Sequence, residues 1–173
     1  MSDRRLTPMN GRVAAEHLRG VVDAKRFVTG AARRVLVPVA DVMSAPEGKR
    51  DRQLLAGQVV DVYEELNGWA FVQARADEYV GFVRAEALGE PLEATHRVSA
   101  RATHIYTQAD FKSPERTSLS MGSQVRVLRE EGRFAKLPEG FVPLVHLSDL
   151  QPENDPVTVA ERLIGTPYLW GGN

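Results

Sequence analysis

The chain has 173 residues, a formal net charge of −1, 43% apolar residues and 26% charged residues, which is ordinary for a globular protein of one or two domains. Acidic and basic residues are interspersed, so no basic stripe predicts a nucleic-acid or membrane-surface partner, and no run approaches the roughly 18 apolar residues that cross a bilayer. The absence of cysteine excludes disulfides, thiolate metal sites and a cysteine nucleophile within these residues.

The N-terminal segment, residues 1–34, is predicted to contain helical and extended parts. Its first residues lack the apolar core of a secretory signal, which favours a cytoplasmic location. Asn10 can cap a short helix that closes at Gly20, whereas residues 27–29 favour a strand. Because His17 has no ligand partner at a suitable spacing, we expect no metal site, and nothing in the sequence predicts a cofactor.

The middle of the chain is predicted to be an internal repeat of one small β-barrel, with copies at residues 35–90 and 96–152. Each copy has a strand, a long polar loop, a turn glycine before a β-branched run, and an aromatic strand after a tight turn. Trp69 and Phe134 begin those aromatic strands and are expected in the core. The matching turns are Gly57 with Gly122 and Asn67-Gly68 with Glu131-Gly132.

The last stretch, residues 155–173, is predicted to begin as a helix and end as an extended segment. Asp155 followed by Pro156 suits an N-cap and the first helical position. Gly165 can adopt the left-handed conformation that ends a helix, and Thr166-Pro167 blocks its continuation.

The ending also contains Gly165, Tyr168, Gly171 and Gly172 in the order G-x-x-Y-x-x-G-G. This order resembles the opening of the NlpC-type cysteine peptidase domain, a papain-like α+β domain that hydrolyses bonds beside γ-D-glutamyl residues of bacterial cell-wall peptides. In that family the nucleophilic cysteine follows within a short loop, so the resemblance implies a catalytic domain truncated here. It also gives Tyr168 an auxiliary catalytic role at the substrate or oxyanion. The alternative is that Tyr168 is an aromatic tail residue that packs on its neighbour.

The two repeats resemble bacterial SH3-like barrels, which often precede NlpC-type domains. The expected fold is therefore mainly β: two small SH3-like barrels in tandem, with a short N-terminal helix and a C-terminal helical stub of a peptidase domain. This layout resembles γ-D-glutamyl-L-diamino-acid endopeptidases, including those called dipeptidyl-peptidase VI. In those enzymes the first barrel closes the end of the cleft that receives the free amino terminus of the substrate.

The resemblance implies that Tyr79, in the family's Y-x-G-[FW]-V stretch, contacts that amino terminus. The family's acidic residue after the turn glycine corresponds to Gln58, which departs from the pattern. Asp77 or Glu78 could supply the carboxylate instead, because a carboxylate forms a strong charge-assisted hydrogen bond with an ammonium group. A cross-strand packing role for Tyr79 is equally open.

The expected parent protein is a hydrolase, a cysteine endopeptidase of murein-peptide recycling. Its partner would be a murein-derived peptide with a free N-terminal L-Ala, and its barrels would pack on the missing peptidase domain. This chain lacks the nucleophile and the catalytic histidine, so we expect it to be inactive alone. His96, His104 and His146 belong to the repeats and are not expected to act as the base; His146 is expected at the surface. The alternative is a non-catalytic pair of SH3-like modules that binds a peptide or cell-wall ligand.

Overall fold

The structure is a computed structural model that describes residues 3–172, and it is mainly β with one short α-helix near the C terminus of the described range. The α-helix is α1 (Pro156–Arg162), and single turns of 3-10 helix span Glu16–Leu18, Ala85–Ala87 and Leu144–His146. The strands are β1 (Val13–Ala15), β2 (Arg26–Val28), β3 (Ala31–Val35), β4 (Val39–Met43), β5 (Arg50–Leu55), β6 (Val59–Leu66), β7 (Trp69–Ala74), β8 (Val80–Arg84), β9 (Leu88–Gly89), β10 (His96–Val98), β11 (Ala102–Tyr106), β12 (Glu115–Ser120), β13 (Gln124–Val125), β14 (Arg129–Glu131), β15 (Phe134–Lys136), β16 (Phe141–Pro143) and β17 (Leu147–Ser148).

The chain divides into two compact units. Of the described residues, the first unit comprises 3–54, 58–91 and 170–172, and the second comprises 55–57 and 92–169. Each unit has a hydrophobic core of its own, and the small size of both cores is typical of domains of this length.

The first unit is built on an antiparallel sheet in the order β5-β4-β8-β7-β6-β3-β9. The hairpin between β6 and β7 turns at Asn67 and Gly68, whose φ angles of 51° and 79° are those of the tight turn that an Asn-Gly pair predicts. Alternate residues of the strands enter one core, which contains Val35, Ala40, Val42, Leu54, Val60, Val62, Ala70, Val72, Ala74, Val83 and Ala87.

The second unit has a five-stranded sheet, β12-β11-β16-β15-β14, and a three-stranded sheet, β13-β10-β17. Taken together they repeat the strand order of the first unit, except that the counterpart of β6 is divided into β13 and β14. The division occurs where the N–H of Val127 donates to Oγ1 of Thr95, at 2.9 Å, instead of to a neighbouring strand. The strand order therefore follows the internal repeat that the sequence predicts.

The helix expected from Asn10 to Gly20 is wrong. Val13, Ala14 and Ala15 are all buried and form β1, which pairs in parallel with β2, and only one 3-10 turn follows. Oδ1 of Asn10 accepts the N–H groups of Arg12 and Val13, both at 3.0 Å, so this side chain forms a turn before a strand. The fully buried run is the physical reason, because burying three consecutive side chains suits a covered strand better than a surface helix.

The C-terminal helix α1 begins where the sequence predicts. Oδ1 of Asp155 accepts the N–H of Val157 at 2.9 Å and Oδ2 accepts the hydroxyl of Thr158 at 2.7 Å. These bonds, that of Thr158 first, lower the pKa of Asp155 below its ordinary value. Gly165 follows with a φ of 88°. Within the described range, no helix has the length and apolar character needed to cross a membrane.

Candidate functional site

Tyr79 lies immediately before β8, in the first unit. It is partly buried against the core, and the guanidinium carbon of Arg52 lies 5.3 Å from the centre of its ring. Burial raises the pKa of the phenol, and the negative charge of Asp51 raises it further. Tyr79 is therefore a protonated phenol at neutral pH, able both to donate and to accept a hydrogen bond.

Asp51, in β5, is a carboxylate beside Tyr79 that the sequence interpretation missed. Its side chain is only 16% exposed, and its Oδ2 lies 2.9 Å from Nη2 of Arg4. Oδ2 is buried and its charge is met by Arg4, whose pKa this contact raises. A carboxylate oxygen can accept more than one hydrogen bond, so Asp51 keeps acceptor capacity for an additional donor.

Asp77 and Glu78, the carboxylates predicted from the sequence, occupy the turn before Tyr79. Asp77 forms an ion pair with Arg52, and its Oδ1 accepts the N–H of Tyr79 at 3.3 Å. Glu78 has a φ of 61°, and its N–H donates to the carbonyl of Ala74 at 2.9 Å. Asp77 therefore holds the turn, whereas the side chain of Glu78 is exposed to solvent.

Gln58 lies immediately before β6, next to the end of that strand that pairs with β3. Its carbonyl accepts the N–H of Val35 at 2.9 Å, and the residue is partly buried. The structure thus brings Tyr79 together with Asp77, Arg52 and Asp51, while Gln58 belongs to the pairing of β6 with β3.

The end of the described chain lies against the strand that carries Asp51. The carbonyl of Trp170 accepts from Nε of Arg50 at 3.1 Å and from Nη2 at 2.9 Å. Gly171 has a φ of 63°, and a Cβ atom there would lie 2.7 Å from the carbonyl oxygen of Asp51. Only glycine fits this close approach to β5 without displacing backbone.

Tyr168 belongs to the second unit and is 84% exposed. Its ring therefore does not pack on a neighbouring side chain, which was the alternative to a catalytic role. The auxiliary catalytic role that the resemblance gives it stays a prediction.

The histidines are dispersed. His17 and His104 are exposed. For His17 this agrees with the surface position expected from the sequence. His146 is not at the surface as expected: it is partly buried, and its Nδ1 lies 2.7 Å from Oγ1 of the buried Thr103. Without this hydrogen bond the hydroxyl of Thr103 would be unpaired in the core of the second unit, which explains why the ring of His146 turns inward.

Residues 42–88 match a known family model. Its description is "Bacterial dipeptidyl-peptidase Sh3 domain", and the matched stretch contains Asp51, Gln58 and Tyr79. No curated protein sequence matches this chain.

Comparison with solved structures finds similar proteins, among them an NlpC/P60 family protein and two NlpC proteins. The crystal structure of an NlpC/P60 family protein from Bacillus cereus ATCC 10987 is similar with a TM-score of 0.65 at 18% identity, over 82% of this chain and 66% of that protein. NlpC2 and NlpC1 from Trichomonas vaginalis match with TM-scores of 0.31 and 0.33 at 18% and 16% identity, over 78% and 79% of this chain and 53% and 51% of theirs. The Bacillus cereus match shows a common fold, and this chain spans about two thirds of that protein's length and about half of the other two.

Proposed function

We propose that this chain is the substrate-recognition part of a bacterial cell-wall peptide hydrolase of the NlpC type, which cleaves γ-D-glutamyl-diamino-acid bonds of murein peptides during recycling. The family match of residues 42–88 and the G-x-x-Y-x-x-G-G ending support this proposal. The nucleophile and its base would come from a following peptidase domain, because the sequence has no cysteine.

The observation that carries the proposal is the pairing of Asp51 with Tyr79. A buried carboxylate next to a protonated phenol is suited to bind an ammonium group in place of the guanidinium of Arg4. The free amino terminus of a murein peptide, on L-Ala, supplies that group. Asp51 would then provide the charge that the sequence interpretation assigned to Asp77 or Glu78, and that Gln58 lacks.

Arg4 pairs with Asp51, and the ammonium group of the substrate would take the place of this arginine. The side chain of Arg4 is 57% exposed, so it can return to water at little cost. Asp77 would stay with Arg52 and hold the turn that positions Tyr79.

The position of Gly171 supports a site shared with a following domain. Because the chain passes against β5 at Asp51, a peptidase domain that continues from Gly171-Gly172 would begin beside the amine-binding carboxylate. The first unit would then form one end of the cleft, beside Asp51. This end would admit peptides with a free amino terminus and exclude longer chains, because a longer chain would leave the buried carboxylate without an ammonium partner.

Kinetics of the gene product extended past Asn173 test the proposal. The substrates are L-Ala-γ-D-Glu-diaminopimelate and its N-acetylated form, and we expect acetylation to lower kcat/KM about a hundredfold, since it removes the charge that Asp51 would pair. Asp51→Asn and Tyr79→Phe should each raise KM about tenfold. Glu86→Gln, an exposed carboxylate of the same unit, is the matched control and should keep the wild-type constants.

Equal cleavage of both substrates would refute the amine-binding site. An extended protein that binds the peptide without hydrolysing it would instead favour the non-catalytic module.

A further inference from the structure

The first residues of the described chain lie across the proposed amine site of the first unit. This segment, residues 3–8, is called the N-terminal strap. The N–H of Val80, the residue after the tyrosine of the site, donates to the carbonyl of Arg5 at 2.7 Å. Nη2 of Arg4 lies 2.9 Å from Oδ2 of Asp51. The strap therefore reaches the carboxylate of the site with one of its own cations.

The strap is anchored by groups other than the side chain of Arg4. Pro8 is fully buried, and its carbonyl accepts the N–H of Ala15 at 2.9 Å. At the other end, the carbonyl of Asp3 accepts the N–H of Leu6 at 3.0 Å. Because these contacts are made by the backbone and by a buried ring, the strap keeps its place when the side chain of Arg4 moves.

The ion pair between Arg4 and Asp51 is asymmetric in its exposure to solvent. The side chain of Arg4 is 57% exposed, whereas that of Asp51 is 16% exposed. An exposed arginine loses little when water replaces its partner. A largely buried carboxylate, in contrast, is strongly destabilised when its cation is removed. Arg4 is therefore free to leave, but only when another cation takes its place on Asp51.

The neighbouring arginines are held by other carboxylates. Arg5 donates from Nε and Nη2 to the carboxylate of Asp3, at 3.0 and 2.7 Å. Arg52 forms its ion pair with Asp77. Within the part of the chain that the structure describes, Arg4 is therefore the arginine that is paired with the carboxylate of the site.

A guanidinium group and an ammonium group offer a carboxylate the same chemistry, which is a positive charge that carries N–H donors. If both were held against Asp51, they would repel each other, and one of the two charges would have no partner. Arg4 and the amino terminus of a bound peptide therefore compete for one carboxylate.

We propose that Arg4 is a built-in competitor of the substrate, which occupies Asp51 in the free protein and lowers its affinity for a peptide with a free amino terminus. This proposal rests on the proposed function of the Asp51 site. An exposed ion pair of this kind biases occupancy by a factor of about five, and the affinity for a ligand falls with the fraction of molecules whose site is free. Arg4 thus sets the concentration of free-amine peptide at which the site is filled.

A nuclear magnetic resonance titration of the ¹⁵N-labelled chain with L-Ala-γ-D-Glu-diaminopimelate tests the competition. We expect the dissociation constant of Arg4→Gln to be about fivefold lower than that of the wild type, because the competing cation is gone. Arg5→Gln removes the same charge one residue away from a side chain that pairs with Asp3. This matched control should keep the wild-type constant. The spectrum of each variant reports directly that it is folded.

The salt dependence of binding separates competition from a structural role of Arg4. In the wild type, the ammonium group replaces a guanidinium group, so the number of ion pairs on Asp51 does not change. In Arg4→Gln, binding creates an ion pair that was absent before. Raising the salt concentration from about 0.05 M to about 0.5 M should therefore weaken binding to Arg4→Gln more than binding to the wild type, because salt screens the newly formed pair.

An unchanged or higher dissociation constant in Arg4→Gln would overturn the proposal, because Arg4 would then be neutral or would itself hold the substrate. The N-acetylated peptide distinguishes this failure from that of the proposed function. Equal binding of the free and acetylated peptides by the wild type would refute the amine site and the competitor together. Preference for the free peptide, with an unchanged constant in Arg4→Gln, would refute the competitor alone.

Discussion

Glu64 is a carboxylate held by residues distant in the sequence, and it gives the first unit a pH-dependent stability. Its side chain is 9% exposed, and its Oε2 accepts from Nη2 of Arg12 at 2.7 Å and from the amide of Asn10 at 2.9 Å. The hydrogen bond from Arg12 lowers the pKa of Glu64 in the folded state. The unfolded chain therefore binds a proton more readily than the folded chain, so the stabilisation is present above the ordinary carboxyl pKa and is lost as the pH falls through the lowered one.

Glu64→Gln should accordingly lower the free energy of unfolding by about 1 kcal/mol at pH 7, since Arg12 is half exposed and solvent screens the pair. The difference should shrink towards zero at an acidic pH below the lowered pKa of Glu64, where the wild-type carboxyl is neutral. Urea unfolding at the two pH values measures both quantities. Glu65→Gln, at an exposed position of the same strand, is the control. The same loss at both pH values would contradict the ion pair as the cause.

The sequence indicated Tyr79 but not the carboxylate beside it. Tyr79 stands in a motif that can be identified from neighbouring residues. Asp51 lies between two arginines in a polar strand, and that pattern alone does not predict a binding site. The two residues meet only because β5 and the turn before β8 are brought together by strands distant in the sequence. Gln58 was assigned by alignment with a motif, and Asp77 and Glu78 by their position next to Tyr79 in the sequence. Neither criterion carries information about burial or unused hydrogen-bond capacity.

At the scale of elements, two turn glycines share a backbone conformation but differ in the space around them. Gly57 and Gly68 have φ angles of 81° and 79°. A Cβ atom at Gly57 would lie 2.0 Å from the carbonyl oxygen of Gln124, whereas nothing lies within 4 Å at Gly68.

Gly68→Ala should therefore cost about 1 kcal/mol of unfolding free energy, which is the cost of the left-handed conformation alone. Gly57→Ala should cost about 3 kcal/mol or more, because backbone must also move. Urea unfolding of the two variants gives the comparison, and equal costs would show that the approach of Gln124 to Gly57 is not tight.

The contact of the C-terminal residues 170–172 with β5 also depends on a glycine. Gly171→Ala should displace the tail and shift the amide resonances of Asp51 and Arg52, since the added Cβ would meet the backbone of both residues. Gly165→Ala is the matched control, because Gly165 has a similar positive φ of 88° and no atom within 4 Å of a Cβ. Unchanged resonances of Asp51 and Arg52 in Gly171→Ala would show that the tail does not rest there.

The elements that the sequence predicts correctly are those that depend on a few neighbouring residues. The hairpin at Asn67-Gly68 and the start of α1 at Asp155 are correct because one or two residues determine them. The N-terminal helix is wrong because Val13 to Ala15 are covered by other parts of the first unit, and burial on all sides makes them a strand.

At the scale of the whole molecule, the repeat in the sequence corresponds to a repeat of strand order in the two units. The divided counterpart of β6 was not predictable, because it depends on a single side chain, Thr95, that comes from a connecting segment.

The account depends most on the claim that the first unit binds a free amino terminus. The direct measurement is a nuclear magnetic resonance titration of the ¹⁵N-labelled chain with L-Ala-γ-D-Glu-diaminopimelate and, separately, with its N-acetylated form. We predict that the free peptide shifts the amides of Asp51 and of residues 77–80, and that acetylation weakens this binding by about tenfold or more. Equal binding of the two peptides, or shifts that leave Asp51 and Tyr79 unchanged, would contradict the claim.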